Sequence, residues 1–256
     1  MAEGTVKLAR FDNYVTLSLN RPEKRNALNQ ALLNDLNEAV ASIENDKSVR
    51  AVVVRAEGRV FSSGLDLAEV DRLEGEHNPA NIQKVFQRLE QMPVPTIAAV
   101  NGAAIAGGLE LALHCDLRIA AEGAKLGMTL GRVGLMPPFD FTRKLIEVLG
   151  TPATNRILFT GELISAREAL AMGMVHEVVA DAELDQAAKA WAEKIAGNAP
   201  LSLRAMKATI RRCMSAANTA EHSDIDQTAR QLRKSQDARE GVRAFLEKRK
   251  PVWRAE

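Results

Sequence analysis

Val94-Pro-Thr-Ile-Ala-Ala-Val-Asn-Gly-Ala-Ala-Ile-Ala-Gly-Gly-Leu-Glu-Leu-Ala-Leu-His-Cys-Asp116 is the stretch around which the rest of the chain is organised. Its first part, Thr96 to Val100, is short and apolar, bounded by Pro95 and Asn101-Gly102, as a buried strand is. From Gly107 onward Leu109, Leu111, Ala112 and Leu113 recur as they would on a buried helix. Asn101-Gly102 and Gly107-Gly108 therefore fall in a strand-to-helix connection. Glycines there allow close backbone approach, and the free N–H groups of the helix start point at whatever occupies the space in front of them. Glu110 lies in the first turn of that helix, either as a partner of the helix dipole or as an acid/base beside an oxyanion site. Ala-Gly-Gly also occurs at helix starts that only pack tightly, so this stretch alone does not choose between packing and chemistry.

The same device recurs upstream. Val52 to Leu67, Val-Val-Val-Arg-Ala-Glu-Gly-Arg-Val-Phe-Ser-Ser-Gly-Leu-Asp-Leu, again reads as a buried strand, a small-residue turn and a polar helix start. Two turns thus aim backbone N–H groups outward. Between and around them the pattern β-β-α repeats, and no Gly-x-Gly-x-x-Gly follows a strand, so the expected fold is an α/β spiral of stacked turns rather than a doubly wound dinucleotide-binding sheet.

Toward the N-terminus, Tyr14 to Leu19 alternates as a half-exposed strand, and a helix is expected from about Asn29 to Glu44, with Leu32, Leu33, Leu36, Val40 and Ile43 on one stripe. Ala51 to Arg55 and Asp116 to Ala120 read as strands, and Asn81 to Gln91 as a helix. Asp140 is expected to cap a helix running to Leu149. The remainder reads as helices over about Thr151–Phe159, Ala166–Met172, Leu184–Ala196, Leu201–Ala216, Glu221–Lys234 and Asp237–Lys248, with Ser165 and Asp237 as caps and an extended link at Val175 to Val179. One core over 1–197 and a helical region over 198–256 follow from this pattern.

Composition excludes several partners. Lys plus Arg number 34 and Asp plus Glu 33, a net charge of +1, so no global field recruits nucleic acid or an anionic membrane. Basic residues gather near the C-terminus, but Asp237, Glu240 and Glu247 interleave with them, as on a salt-bridged solvated face. Cys115 and Cys213 lack metal-ligand spacing, no metal site is expected, and with no charged-then-apolar leader before Lys7 the chain is expected in the cytoplasm. His77, His114, His176 and His222 are scattered, with His114 expected as a satisfied core residue. Ser62 and Ser63 precede Gly64 without a Gly-x-Ser-x-Gly elbow.

Four blocks in order carry a family resemblance: Arg21-Pro-Glu-Lys-Arg-Asn-Ala-Leu28; Phe61-Ser-Ser-Gly-Leu-Asp-Leu67; Pro95-Thr-Ile-Ala-Ala-Val-Asn-Gly102 with Ala106-Gly-Gly-Leu-Glu110; and Phe245-Leu-Glu-Lys-Arg-Lys-Pro251. With them the chain resembles the crotonase superfamily, the enoyl-CoA hydratase/isomerase family, over nearly its whole length. The resemblance implies an acyl-CoA thioester as substrate, its carbonyl held between the N–H groups of Leu65 and Gly107, and Glu110 as the proton-transfer group. It also implies that Lys24 and Arg25 contact the phosphates of coenzyme A, that Ala27 lines its adenine, and that Ser63 and Asp66 border the site. Phe245 and Lys248 would close over the adenine of a bound or neighbouring site, and the C-terminal helices would build a homotrimer or a dimer of trimers. No cofactor is implied beyond the coenzyme A of the substrate.

One position departs from the family pattern. Along Leu126 to Pro138 the register anchored by Thr142-Arg-Lys-Leu145 puts Leu130 where a hydratase carries its second catalytic glutamate, and leucine moves no proton. Asp140 is the nearby acid. A hydratase-like lyase is the first reading, with slow hydration of simple enoyl-CoA expected from Leu130. An acyl-CoA decarboxylase resembling methylmalonyl-CoA decarboxylase, or an isomerase, stands behind it. A non-catalytic CoA-binding or RNA-associated scaffold is the contrasting class.

Overall fold

The computed structural model describes residues 4–67, 69, 79–216 and 223–254. In chain order the elements are β1 (Val6–Arg10), β2 (Tyr14–Leu19), α1 (Gln30–Ile43), β3 (Ala51–Ala56), β4 (Val60–Ser62), α2 (Pro79–Glu90), β5 (Thr96–Val100), β6 (Ala103–Ile105), α3 (Gly107–Leu113), β7 (Leu117–Ala121) and β8 (Lys125–Gly127). They are followed by α4 (Phe139–Thr160), β9 (Ile164–Ser165), α5 (Ala166–Ala171), β10 (Glu177–Val179), α6 (Leu184–Ala196), α7 (Pro200–Ala216), α8 (Ser223–Lys234) and α9 (Gln236–Leu246).

Strands alternate between two sheets. β3, β5 and β7 lie side by side and parallel in a six-stranded sheet ordered β1-β2-β3-β5-β7-β10, while β4, β6 and β8 lie parallel in a four-stranded sheet ordered β4-β6-β8-β9. Each β-β pair therefore steps from the large sheet to the small one, and the chain then returns for the next turn. This is the spiral of β-β-α turns read from the sequence. Its central strand, Thr96 to Val100, is buried at every residue. Ala98 and Val100 join the main core, whereas Ile97 and Ala99 face a second cluster with Leu184, Ala188 and Ala192 of α6. A strand covered on both faces has no polar side to show, which is why it reads as a continuous apolar run.

Burial corrects the reading of β2, expected to be half exposed: five of its six residues are buried, because β1 pairs antiparallel on one edge and β3 parallel on the other, with core on both faces. The Asn29 side chain caps α1 by accepting from the Leu32 N–H at 3.0 Å, and Ser165 with Glu168 forms a capping box on α5. Two other caps are corrected. Pro138 precedes α4 without a side-chain cap, and Asp140 sits inside its first turn. Ser235, not Asp237, caps α9, accepting from the Ala238 N–H at 3.0 Å. The expected break after Leu149 is the kink at Gly150, φ 71°, within α4.

The C-terminal helices are anchored at two points. Lys207 of α7, 6% exposed, places Nζ 2.6 Å from Asp116 Oδ2 and 3.0 Å from the Val94 carbonyl, at the end of the central strand. α9 packs on the short 3-10 turn at Leu130–Val133 so closely that a Cβ on Gly241 would stand 2.4 Å from the Val133 carbonyl carbon. On the solvent side, Arg249 is bound by Glu240 and Glu247, the ion-paired basic face expected from the sequence. Among the described residues no helix is long and apolar enough to cross a membrane.

Candidate active site

The first turn is assembled from two distant segments. Asn26, fully buried and at φ 51°, donates through Nδ2 to the carbonyls of Glu57 (2.9 Å) and Val60 (2.7 Å) and accepts from the Arg21 N–H at 2.8 Å. Ser63 N–H donates to the Arg25 carbonyl, Ser62 Oγ to the Asn26 carbonyl, and Leu28 N–H to the Gly64 carbonyl. Asp66 N–H donates in turn to the Leu28 carbonyl, which leaves the Leu65 N–H pointing away from this ladder. The Arg21 guanidinium closes the unit, donating to the Ala27 carbonyl at 2.6 Å and pairing with Asp66 at 3.3 Å. Lys24 and Arg25 stand exposed on the loop thus pinned, and Arg25 is left-handed at φ 53°.

The second turn is carried by β6 and α3. Ala106 occupies φ 50°, ψ −115°, a conformation an L-residue holds only under constraint, and its N–H is fixed to the Gly127 carbonyl of β8 at 2.9 Å. Gly107 then begins α3. The two turns meet. A Cβ built on Gly64 would stand 2.8 Å from the Ile105 carbonyl and 3.1 Å from Gly107 N, and one built on Gly107 would stand 3.6 Å from Gly64 Cα and 3.7 Å from Leu65 N. At Gly64, left-handed at φ 85°, only glycine fits. Among the described residues neither the Leu65 N–H nor the Gly107 N–H has a hydrogen-bond acceptor, so two backbone donors converge on one space, the second at a helix N-terminus.

Glu110 is one turn along α3 from Gly107. It is 6% exposed, and its Oε1 has no hydrogen-bond partner among the described residues. Burial first and the charge of Asp140 second push its pKa up to about 8, so that it is largely the neutral acid at pH 7. Behind it His114, expected as a core residue, is 5% exposed: Nδ1 lies 2.8 Å from the Glu110 carbonyl, and Nε2 3.7 Å from Glu90. Burial lowers the His114 pKa and outweighs the carboxylate of Glu90. Burial also acts to raise the pKa of Glu90, but Lys144, 2.5 Å away, overcomes it and holds the group below its usual value.

The structure thus brings together Leu65, Gly107 and Glu110, with Ala27, Ser63 and Asp66 in the ladder beside them. Asp66 spends its carboxylate on Arg21; His77 and His222 lie outside the described residues. Leu130 is partly buried against the core at the start of the turn on which α9 packs. Phe245 and Lys248 are exposed at the end of α9, and among the described residues no hydrogen bond or ion pair joins them to Lys24 or Arg25. Sequence reading missed the supports: Arg21 and Asn26 lie in a quoted block but carry no signal of burial, and the contacts of Glu90 and Lys144 with the site join residues far apart in the chain. Among the described residues no cluster of His, Cys, Asp and Glu could hold a metal.

The enoyl-CoA hydratase/isomerase family model matches residues 12–256. A probable enoyl-CoA hydratase of Bacillus subtilis (strain 168) is 36% identical, covering 98% of this chain and 99% of that one. Crotonyl-CoA hydratase of Syntrophomonas wolfei is likewise 36% identical over 98% of both. Among solved structures, methylmalonyl-CoA decarboxylase superposes with a TM-score of 0.89 at 28% identity over all of both chains. An enoyl-CoA hydratase/isomerase from Pseudoalteromonas atlantica T6c superposes at 0.88 and 30% identity, covering 98% of this chain and 100% of that one. Two converging N–H turns, a buried glutamate one helical turn away and these full-length matches have one explanation: the chain belongs to the enoyl-CoA hydratase/isomerase family, the crotonase superfamily.

Proposed function

We propose that this chain is an acyl-CoA enzyme of hydratase-like lyase activity, adding water across the double bond of a 2-enoyl-CoA. The observation that carries the reading is the pair of N–H groups of Leu65 and Gly107, without acceptors among the described residues, with the buried Glu110 beside them, whose Oε1 likewise has no partner among the described residues. As water attacks Cβ, electrons move onto the thioester oxygen, and two fixed donors stabilise that charge without reorganising. One such donor is commonly worth about 10²–10³ in rate. Glu110 handles a proton at the same carbon pair. The reaction so read draws on no cofactor other than the coenzyme A carried by the substrate.

Lys24 and Arg25, exposed on a loop tied directly to the first oxyanion turn, are read as contacts to the phosphates, with Ala27 on the adenine side. Phe245 and Lys248 are read as closing over the adenine of a bound or neighbouring site. A homotrimer or dimer of trimers is the accompanying assembly, supported by the apolar residues Leu201 (79% exposed), Met206 (60%) and Ile210 (63%) that α7 leaves uncovered in the single chain. The division into a core over 1–197 and an oligomerising region over 198–256, and a cytoplasmic location, belong to the same reading. The decarboxylase alternative is favoured by one observation: Leu130 removes a proton-moving group that decarboxylation does not need. Loss of enoyl-thioester absorbance with crotonyl-CoA, beside carbon dioxide release from methylmalonyl-CoA, tests the two. Turnover of crotonyl-CoA is expected; decarboxylation without hydration would replace the hydratase reading.

A further inference from the structure

Oε1 of the Glu110 carboxyl is buried with no hydrogen-bond partner among the described residues, so that side of the carboxyl is placed by packing and by its own main chain. The main chain is that of α3, a helix of only seven residues, Gly107–Leu113. A helix this short holds few internal hydrogen bonds, and the anchors at its two ends decide where each peptide sits. Toward the N-terminal end, the Glu110 N–H donates to the carbonyl of the strained Ala106 at 3.0 Å. At the C-terminal end stands His114.

His114 holds the Glu110 carbonyl twice. Its backbone N–H donates to that oxygen at 3.1 Å, and its ring Nδ1 lies 2.8 Å from the same atom. The ordinary helical bond already satisfies one lone pair, so the ring adds a second donor that a space-filling side chain would not need. A carbonyl only accepts, which puts the ring proton on Nδ1 and leaves Nε2 bare in the neutral ring. The surroundings agree with that form. The ring is 5% exposed and lies against Phe86 of α2, with 5.6 Å between ring centres. Nε2 is 3.7 Å from Glu90 Oε2, beyond hydrogen-bond distance, and Glu90 is bound instead by Lys144 of α4. Burial keeps the ring neutral against the charge of that carboxylate.

We propose that His114 is a positioning residue for Glu110: its ring Nδ1–H, held in place by α2, fixes the Glu110 peptide and with it the carboxyl that moves the proton. The proposal rests on Glu110 being the proton-transfer group of the hydratase reading. His114 takes no proton in the reaction and acts only through the main chain of Glu110. Misplacing a reacting group by about 1 Å can cost about 10²-fold in rate, which sets the scale of the effect.

The test compares His114→Asn with His114→Leu in the full chain, with circular dichroism to establish folding. An asparagine amide nitrogen can take the place of Nδ1 and donate to the Glu110 carbonyl, whereas leucine fills the apolar surroundings beside Phe86 and donates nothing. His114→Leu is expected to lower kcat for crotonyl-CoA by about 10–10²-fold with KM changed by less than about threefold, and His114→Asn to recover most of that loss. Melting temperature is expected in the opposite order, with His114→Leu at or above His114→Asn, because burying an amide costs more than burying an alkyl group. Were packing the whole role of His114, activity would follow the melting order. A folded His114→Leu at the wild-type kcat, or His114→Asn no faster than His114→Leu, overturns the proposal. A second readout needs neither turnover nor a variant: nitrogen-15 NMR of ring-labelled histidine in the wild type, with His114 assigned through correlation of its ring with its own main chain. A proton on Nδ1 and a bare Nε2 are expected at pH 7; a proton on Nε2 alone overturns the proposal. A wild type that hydrates no enoyl-CoA removes the hydratase reading, while the ring proton still decides whether His114 holds the Glu110 carbonyl.

Discussion

Adding a single methyl group at Gly107 separates the chemistry of this site from its folding. A Cβ there would meet Leu28 Cδ1 at 3.1 Å, Gly64 Cα at 3.6 Å and Leu65 N at 3.7 Å. The tightest contact is the end of a flexible side chain, which can give by a few tenths of an ångström. The backbone is already that of a helix start, where alanine is preferred to glycine by up to about 1 kcal/mol. Stability of Gly107→Ala is therefore expected to stay within about 1 kcal/mol of wild type, a melting shift of at most about 4 °C in a chain of this size. The methyl nevertheless stands in the space where a carbonyl oxygen must approach each nitrogen to about 2.9 Å. Denying the oxygen its two donors is expected to lower kcat/KM for crotonyl-CoA by about 10²–10³-fold or more. Gly108→Ala is the contrasting control: its Cβ would lie 2.4 Å from the Ser62 carbonyl oxygen, so backbone must move and melting temperature should fall well beyond that of Gly107→Ala. Thermal melts and thioester-absorbance kinetics on both variants decide the matter. A folded Gly107→Ala with turnover within tenfold of wild type would refute the assignment of this space to the thioester oxygen.

Other consequences follow from the same geometry. Glu110 binds its proton more tightly in the folded chain, at about 8, than in the unfolded chain near 4.5, so its stabilising contribution is complete below about pH 4.5 and declines as the pH rises to about 8. Urea unfolding of wild type and Glu110→Gln is expected to show the wild type losing ground to the variant across that window, by an amount on the order of several kcal/mol; a difference independent of pH would show that Glu110 titrates normally. Lys24→Ala with Arg25→Ala is expected to weaken calorimetric binding of crotonyl-CoA by at least about tenfold, with crotonyl-pantetheine unaffected, since exposed phosphate contacts are local and electrostatic. Equal losses for both ligands would place the loop elsewhere. Leu130→Glu is expected to raise crotonyl-CoA hydration by at least about tenfold, by placing a carboxylate at the family's second-glutamate position. A folded variant no faster than wild type would mean that Leu130 does not line the acyl site.

The sequence by itself determined the parts of this protein that are encoded by local pattern. Thr96–Val100 announces a doubly covered strand because it has no polar face, and its flanking Pro95 and Asn101-Gly102 mark the ends. Gly64 and Gly107, each in a strand-to-helix turn, with Glu110 three residues on, are legible for the same reason: backbone conformation and helix periodicity depend on neighbours in the chain. Tertiary structure decided what depends on distant neighbours. Nothing local says that β1 covers the edge of β2, and alternation in Tyr14–Leu19 describes a strand without stating what lies on its other face. Asp140 reads as a cap from sequence because acids are common at helix starts, but Pro138 takes that place and Asp140 falls within the first turn, beside Gln87 and Arg143. The neutrality of Glu110 is the clearest case. It arises from burial within the helix-covered core and from a charge 30 residues away in sequence, and a pKa is set by the dielectric and the charges around a group in space, whatever their order along the chain.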